Sequence, residues 1–175
     1  NSLFIGLNGT FAMWVGALIT DIAQKIVLIA PEGQEEEAIK RLSRVGYDNT
    51  VGYLAGGVGA FNKELNTITS VSAASVAENH TNLALVDVRK PGEFSAEHLP
   101  DAKHYALDYM NVNLTELNKD KEYHVHCAGG YRSIIAISLL MQNGYTKLKD
   151  IDGGFSALRE TNIEMTDYVC PSTLK

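Results

Sequence analysis

Cysteine is nearly absent from the 175-residue chain, which holds only Cys127 and Cys170. Two cysteines cannot build a disulfide framework, so the composition points to a reducing compartment and a cytoplasmic location. Positive charge is also short: 15 Lys and Arg face 21 Asp and Glu, leaving a net charge of −6. That excludes the basic footprint of a nucleic-acid binder and disfavours any polyanion partner. Charge of either sign is missing from residues 1–20, a mostly apolar stretch that a hydropathy window would mark as a membrane span. The stretch has no initiator Met and no basic n-region, so a signal peptide fits badly, and Asn8-Gly9 in its middle is a turn signal. No membrane segment is expected. What remains is 45% hydrophobic and 21% charged, the balance of a folded protein with room for one ordinary domain or two small ones.

The chain repeats itself at a spacing of 97–98 residues. Leu42, Gly46-Tyr47 and Gly56-Gly57 recur as Leu140, Gly144-Tyr145 and Gly153-Gly154. Gly-Tyr ends a helical pattern, and Gly-Gly follows a short strand where backbone freedom is needed. Two copies of one unit are implied, and they are unequal: the first has no counterpart of residues 68–102. The spacing predicts a partial unit over residues 1–66, a complete one over 67–160 and a tail over 161–175. A short polar linker, residues 62–70, joins the two units.

Strands and helices alternate in the second unit. Residues 83–88 form a continuous apolar run, as in a strand buried on both faces. Pro91 opens a short helix. Further strands are predicted at 103–107, 123–126 and 149–151, with helices at 133–143 and 155–160. The first unit should hold strands near 4–7, 25–30 and 51–54, and its Glu35-Glu36-Glu37 reads as the acidic first turn of a helix. The expected class is α/β, a parallel sheet covered by helices on both faces.

The chemistry concentrates in YHVHCAGGYRSIIAISLL. A strand ends at Cys127, and Ala128, Gly129, Gly130, Tyr131 and Arg132 lead into a helix predicted to start at Ser133. Ligands of parallel α/β sheets bind at the carboxyl ends of strands. A thiol placed there faces the free amides of the following helix, which favour its thiolate. The glycines let the loop wind tightly, and Arg132 adds a fork donor for an oxyanion such as a sulfonate. An inert buried cysteine is the bland alternative, and the strand–Cys–Gly-Gly–Arg–helix context weighs against it.

Residues 68–158 resemble a rhodanese-type sulfurtransferase domain. VDVRKPGEFSAEHLPDAKHYAL is similar to the family's Asp-Val-Arg and Gly-His-Ile-Pro-Gly-Ala segments, with both glycines of the latter replaced, by Glu97 and Asp101. CAGGYRS matches the active-site loop and DGGFSAL the closing segment. The resemblance implies that Cys127 carries sulfur as a persulfide and that Arg132 holds the donor's oxyanion. The amides of Ala128, Gly129, Gly130, Tyr131 and Ser133 would cradle the sulfur. The donor would be thiosulfate or a small persulfide, the acceptor a thiol, sulfite or cyanide, with no cofactor. Four residues separate Cys127 from Arg132, whereas cysteine phosphatases and arsenate reductases of similar fold carry five; sulfur transfer is favoured over phosphate chemistry. The first unit has IAPEGQEE where the second has HCAGGYRS. Either Ile29 or Ala30 falls at the cysteine position, and Glu32, Glu35, Glu36 and Glu37 would repel an anion. This is similar to the inactive-then-active rhodanese pair of bacterial persulfide dioxygenase fusions, which implies an upstream metallo-β-lactamase-fold domain.

Other residues carry blander expectations. His124 and His126 share one face of a strand and Cys127 the other, so no metal site is expected. His80 and His104 read as surface residues and His98 as a turn residue. Asp87 and Arg89 should support the loop scaffold, with Glu93 as the partner of Arg89. Cys170 reads as a spare thiol, and Phe11 and Trp14 as core of the first unit. A non-catalytic binding module is the alternative function. Apolar strands with open edges in the first half predict a homodimer.

Overall fold

The structure is a computed structural model describing residues 2–170. The chain divides into two compact units: Ile5–Asn66, and Thr67 onward together with the first four residues. Among the described residues no helix is long and apolar enough to cross a membrane.

The unit Ile5–Asn66 runs α1 (Phe11–Leu18), β1 (Ile26–Leu28), α2 (Glu35–Ser43), β2 (Thr50–Tyr53) and a 3-10 turn (Gly57–Ala60). Three glutamates open α2, and Lys40 and Arg41 close it, so both ends complement the helix dipole. Glu36–Lys40 at 2.8 Å and Glu37–Arg41 at 2.7 Å add i,i+4 pairs. β1 and β2 pair in parallel, and Phe11, Val15, Leu42 and Tyr47 form the core beneath them. The strand expected near 4–7 does not form. A strand exists only where its amides find a partner strand, and the Phe4 amide instead donates to the Ser138 hydroxyl at 3.0 Å.

The unit beginning at Thr67 contains β3 (Thr69–Val71), α3 (Ala73–Asn79), β4 (Leu85–Asp87), α4 (Pro91–Ala96), β5 (Lys103–His104), β6 (Tyr123–His126), α5 (Tyr131–Gln142), β7 (Leu148–Ile151) and α6 (Gly154–Arg159), with 3-10 turns at His80–Asn82 and Leu107–Val112. Its five strands are all parallel, in the order β3-β7-β6-β4-β5. β4 and β6 are buried at every position, as strands covered on both faces must be. Leu85, Ile151, Val76, Phe155 and Leu158 pack one side of the sheet with α3 and α6. The buried residues of α5, among them Ile135, Ala136 and Leu140, belong to the other layer.

Two boundaries differ from expectation. β3 begins inside the stretch read as a linker, because an edge strand bonded to β7 alone keeps a polar sequence. Its successor α3 is capped by Ser72, whose hydroxyl accepts the Ser75 amide at 3.2 Å. α5 starts at Tyr131 rather than Ser133. Gly130, at φ +100°, already turns the chain into the helix, and first-turn positions tolerate polar residues because their amides need no helical acceptor.

Candidate functional site

The site grows from the end of β6. Val125 pairs in register with Val86 of β4 and Asp150 of β7. Cys127, two residues on, shares the Val125 face, while His124 and His126 turn to the opposite face. Cys127 is only 1% exposed. The chain then has three residues, Ala128, Gly129 and Gly130, before α5 begins. The left-handed turn at Gly130 brings its amide back to Cys127 Sγ at 3.2 Å. Ser133, one turn into α5, sits with Oγ 3.7 Å from the same sulfur and donates to the Gly130 carbonyl at 3.0 Å. Tyr131 is half-buried, and burial pushes its phenol above the ordinary value.

The loop is clamped from behind by α6. The Phe155 amide donates to the Cys127 carbonyl at 2.7 Å and the Ser156 amide to the Ala128 carbonyl at 3.0 Å. This approach needs glycine at position 154: a Cβ there would stand 2.5 Å from the Cys127 carbonyl oxygen, at a φ of +57°.

Asp87 and Arg89 form a fully buried fork. Arg89 Nε lies 3.0 and 2.9 Å from the two carboxylate oxygens, and Nη2 lies 2.6 Å from one of them. The same guanidinium donates to the Glu97 carbonyl at 2.8 Å and stacks over the Phe155 ring at 3.7 Å. The pair therefore joins the end of β4 to α4 and α6. Glu93 is not its partner, contrary to the i,i+4 expectation. Arg89 precedes the helix that begins at Pro91, so helical spacing does not apply to it.

Glu93 instead receives Arg132. Nη1 and Nη2 reach its two oxygens at 2.5 and 2.8 Å, a bidentate fork across the mouth of the loop. Arg132 holds the Glu93 carboxyl below the ordinary carboxylate range, and Glu93 raises the Arg132 guanidinium in turn. The guanidinium that the resemblance assigns to a donor's oxyanion thus already has a carboxylate on it. Sequence reasoning missed this contact, although the Glu93 carboxylate also caps α4 by accepting the Lys90 amide at 3.1 Å.

The histidines do not assemble a metal site; no group of three or more ligating side chains occurs among the described residues. Burial lowers the pKa of His126 and of His124, which keeps both neutral in the sheet. His104 is not the surface residue expected. Phe94 is sandwiched between His98 and His104, at centroid distances of 3.8 and 4.3 Å, and His104 Nε2 lies 2.9 Å from the Arg89 carbonyl. Cys170 is exposed. A buried acid, Asp150, was also missed; its signal was a carboxylate in the apolar-facing phase of a short strand.

Comparison with known proteins agrees with this arrangement. The family model described as a rhodanese-like domain matches residues 72–161. A sulfurtransferase of Allochromatium vinosum is 31% identical over 93 residues, which are 53% of this chain and 87% of that protein. The thiosulfate sulfurtransferase GlpE of Pseudomonas syringae pv. syringae is 35% identical over 77 residues, 44% of this chain and 73% of its own. The crystal structure of a rhodanese-related protein from Thermoplasma volcanium superposes with a TM-score of 0.52 at 28% identity, covering 56% of this chain and 97% of that one. The α/β sheet, the loop behind Cys127 and these relatives together make the chain a member of the rhodanese-like domain family.

Proposed function

We propose that the chain is a sulfurtransferase that moves sulfane sulfur through a persulfide on Cys127. The observation that carries this reading is the sulfur itself: Sγ ends a buried strand, receives the Gly130 amide at 3.2 Å and has the first turn of α5 above it. Such a nest stabilises the thiolate and, later, the negative charge of the leaving sulfur. The thiolate attacks the outer sulfur of thiosulfate or of a small persulfide. A new S–S bond forms, the donor's S–S bond breaks, and sulfite or a thiolate leaves with the electron pair. A thiol, sulfite or cyanide then attacks the outer sulfur of the Cys127 persulfide, and the Cys127 thiolate departs. Arg132 and the amides of the loop hold the donor's oxyanion, Arg132 sharing its fork with Glu93. Asp87 and Arg89 keep the loop's base in place.

Residues 1–66 are read as a partial, inactive copy of the same unit. Two parallels support this. Tyr47 and Tyr145 are both buried with hydroxyls donated to carbonyls, at 2.6 Å to Ile19 and 2.7 Å to Leu114. A Cβ on Gly57 would stand 2.7 Å from the Ala30 carbonyl oxygen, as one on Gly154 would stand 2.5 Å from that of Cys127. The match favours Ala30 over Ile29 as the counterpart of the cysteine.

A non-catalytic binding module is favoured by one observation, the occupation of Arg132 by Glu93. Intact mass measurement after treatment with thiosulfate or glutathione persulfide separates the two readings. A gain of one sulfur atom that is lost in Cys127→Ser, with the fold retained, supports transfer. No gain, or turnover by Cys127→Ser, refutes it.

A further inference from the structure

Glu93 stands where an anionic donor would have to bind. It is the third residue of α4, two after Pro91, and it holds two different groups at once. Its Oε2 accepts the Lys90 amide at 3.1 Å, which fixes it to its own helix. Its two carboxylate oxygens also accept from Arg132, at 2.5 and 2.8 Å. Arg132 lies between the Cys127 loop and Ser133, whose Oγ is 3.7 Å from the sulfur. A planar guanidinium in a two-bond fork has committed its best geometry. With 16% of its side chain exposed, Arg132 has little surface left for a second anion. Arg89, the other guanidinium near the loop, is buried in its own fork with Asp87. Arg132 also holds the Glu93 carboxyl below the ordinary carboxylate range, so Glu93 carries its charge at neutral pH.

The two donor chemistries meet this fork differently. Thiosulfate brings an anionic SO3 group bonded directly to the sulfur under attack, and that group must either evict Glu93 or share the guanidinium with it. Sharing puts two anions on one cation. Eviction weakens binding in proportion to the small fraction of molecules in which Arg132 is free. The Glu93 side chain is 36% exposed and has solvent to swing into, which makes eviction the open route. A persulfide of a small thiol with no anionic group beside the sulfur asks nothing of Arg132. The Gly130 amide, 3.2 Å from Sγ, serves it unaided.

We propose that Glu93 is a specificity-determining residue, a built-in competitor at Arg132 that turns the site away from oxyanionic donors and toward persulfides of small thiols that carry no anionic group beside the sulfur. Discrimination of this kind comes from a repulsive element rather than from a new attraction. It also gives the occupied Arg132 a place within sulfur transfer, as a filter on donors.

The donor preference rests on the sulfur-transfer reading; the competition for Arg132 does not, and it is measured without turnover. Glu93→Gln removes the charge and keeps an oxygen for the Lys90 amide, so the cap of α4 survives. In the full chain, sulfate titrated against the loop amides by NMR should bind Glu93→Gln about tenfold more tightly than the parent, the worth of one charge-assisted contact. Equal affinities overturn the proposal. With sulfur donors, Glu93→Gln should raise kcat/KM for thiosulfate about tenfold and leave that for 2-hydroxyethyl persulfide within about twofold. A merely structural role for Glu93 would move both donors together, and that outcome overturns the proposal. In an Arg132→Ala background the same substitution should change neither donor, and a thiosulfate gain that persists there overturns the proposal as well. A parent chain that takes sulfur faster from thiosulfate than from the persulfide overturns it with no substitution at all. Tighter sulfate binding by Glu93→Gln, in a protein whose Cys127 takes up sulfur from neither donor, leaves the competition standing and refutes the sulfurtransferase reading.

Discussion

Replacing Gly154 by Ala should damage the protein far more than the same change at Gly129 or Gly130, although the latter two lie in the loop itself. At Gly154 the added methyl stands 2.5 Å from the Cys127 carbonyl oxygen and 3.0 Å from the Ala128 carbonyl carbon and oxygen, all rigid backbone. The residue also sits at φ +57°. The left-handed backbone costs an L-residue about 1–2 kcal/mol, and forcing the two peptides apart costs about 1–3 kcal/mol more. The sum, about 2–5 kcal/mol, corresponds to a drop in Tm of about 8–20 °C for a unit of this size. Relief of the clash would stretch the bonds from Phe155 and Ser156 to the loop, so sulfur loading of Cys127 should fall with stability. At Gly130, φ is +100° but a Cβ meets nothing within 4 Å, so only the backbone strain of about 1–2 kcal/mol applies. Gly129 has open space and no positive φ, and its Ala variant should stay within about 0.5 kcal/mol of the parent. Thermal unfolding of the three variants, read beside intact mass after thiosulfate, tests the order. A Gly154→Ala protein as stable as Gly129→Ala would refute the reasoning about how α6 holds the loop.

Arg132→Ala should lower kcat/KM for thiosulfate about ten- to a hundredfold, the worth of one charge-assisted contact, and lower it less for an uncharged persulfide donor; equal losses would mean that Arg132 only shapes the loop. The Glu93 carboxyl titrates below its ordinary 4.5 in the folded chain. Its pairing therefore supports folding above the unfolded value and is lost as pH falls through the lower folded value. Glu93→Gln should flatten the fall in Tm below about pH 4.5, and an unchanged acid limb would show that the fork contributes nothing to stability. Val27, Ile29, Val51 and Tyr53 alternate onto one face of the β1–β2 pair at 68, 49, 60 and 52% exposure. An apolar face of this kind should drive self-association of the full chain, measured by light scattering and reversed by Val27→Lys with Tyr53→Lys. A monomeric parent chain would refute it.

Much of the molecule was determined by the sequence alone, wherever one local pattern had one physical solution. Residues 123–126 had to be a buried strand, Pro91 could only begin a helix, and the Gly-Gly pair after residue 151 could only serve a close backbone approach. The order Asp-Val-Arg, Cys-Ala-Gly-Gly-Tyr-Arg-Ser and Asp-Gly-Gly-Phe likewise disclosed the family by resemblance, several of its motifs standing in sequence along one stretch of the chain. Pairings were not legible. Arg89 has carboxylates two and four residues on either side of it, Asp87 and Glu93, and spacing favours the latter; only the turn of the chain at Lys90 hands Arg89 to Asp87 and leaves Glu93 to Arg132. Thr69 and Ser70, the start of β3, read as linker until β7 is beside them. Asp150 draws no notice in the sequence, and only its register beside Val125 places it, buried, on the Cys127 face of the sheet. In each case the deciding term is a contact between residues distant in sequence. Such a term depends on which groups the folded sheet buries together, a quantity that no local window contains.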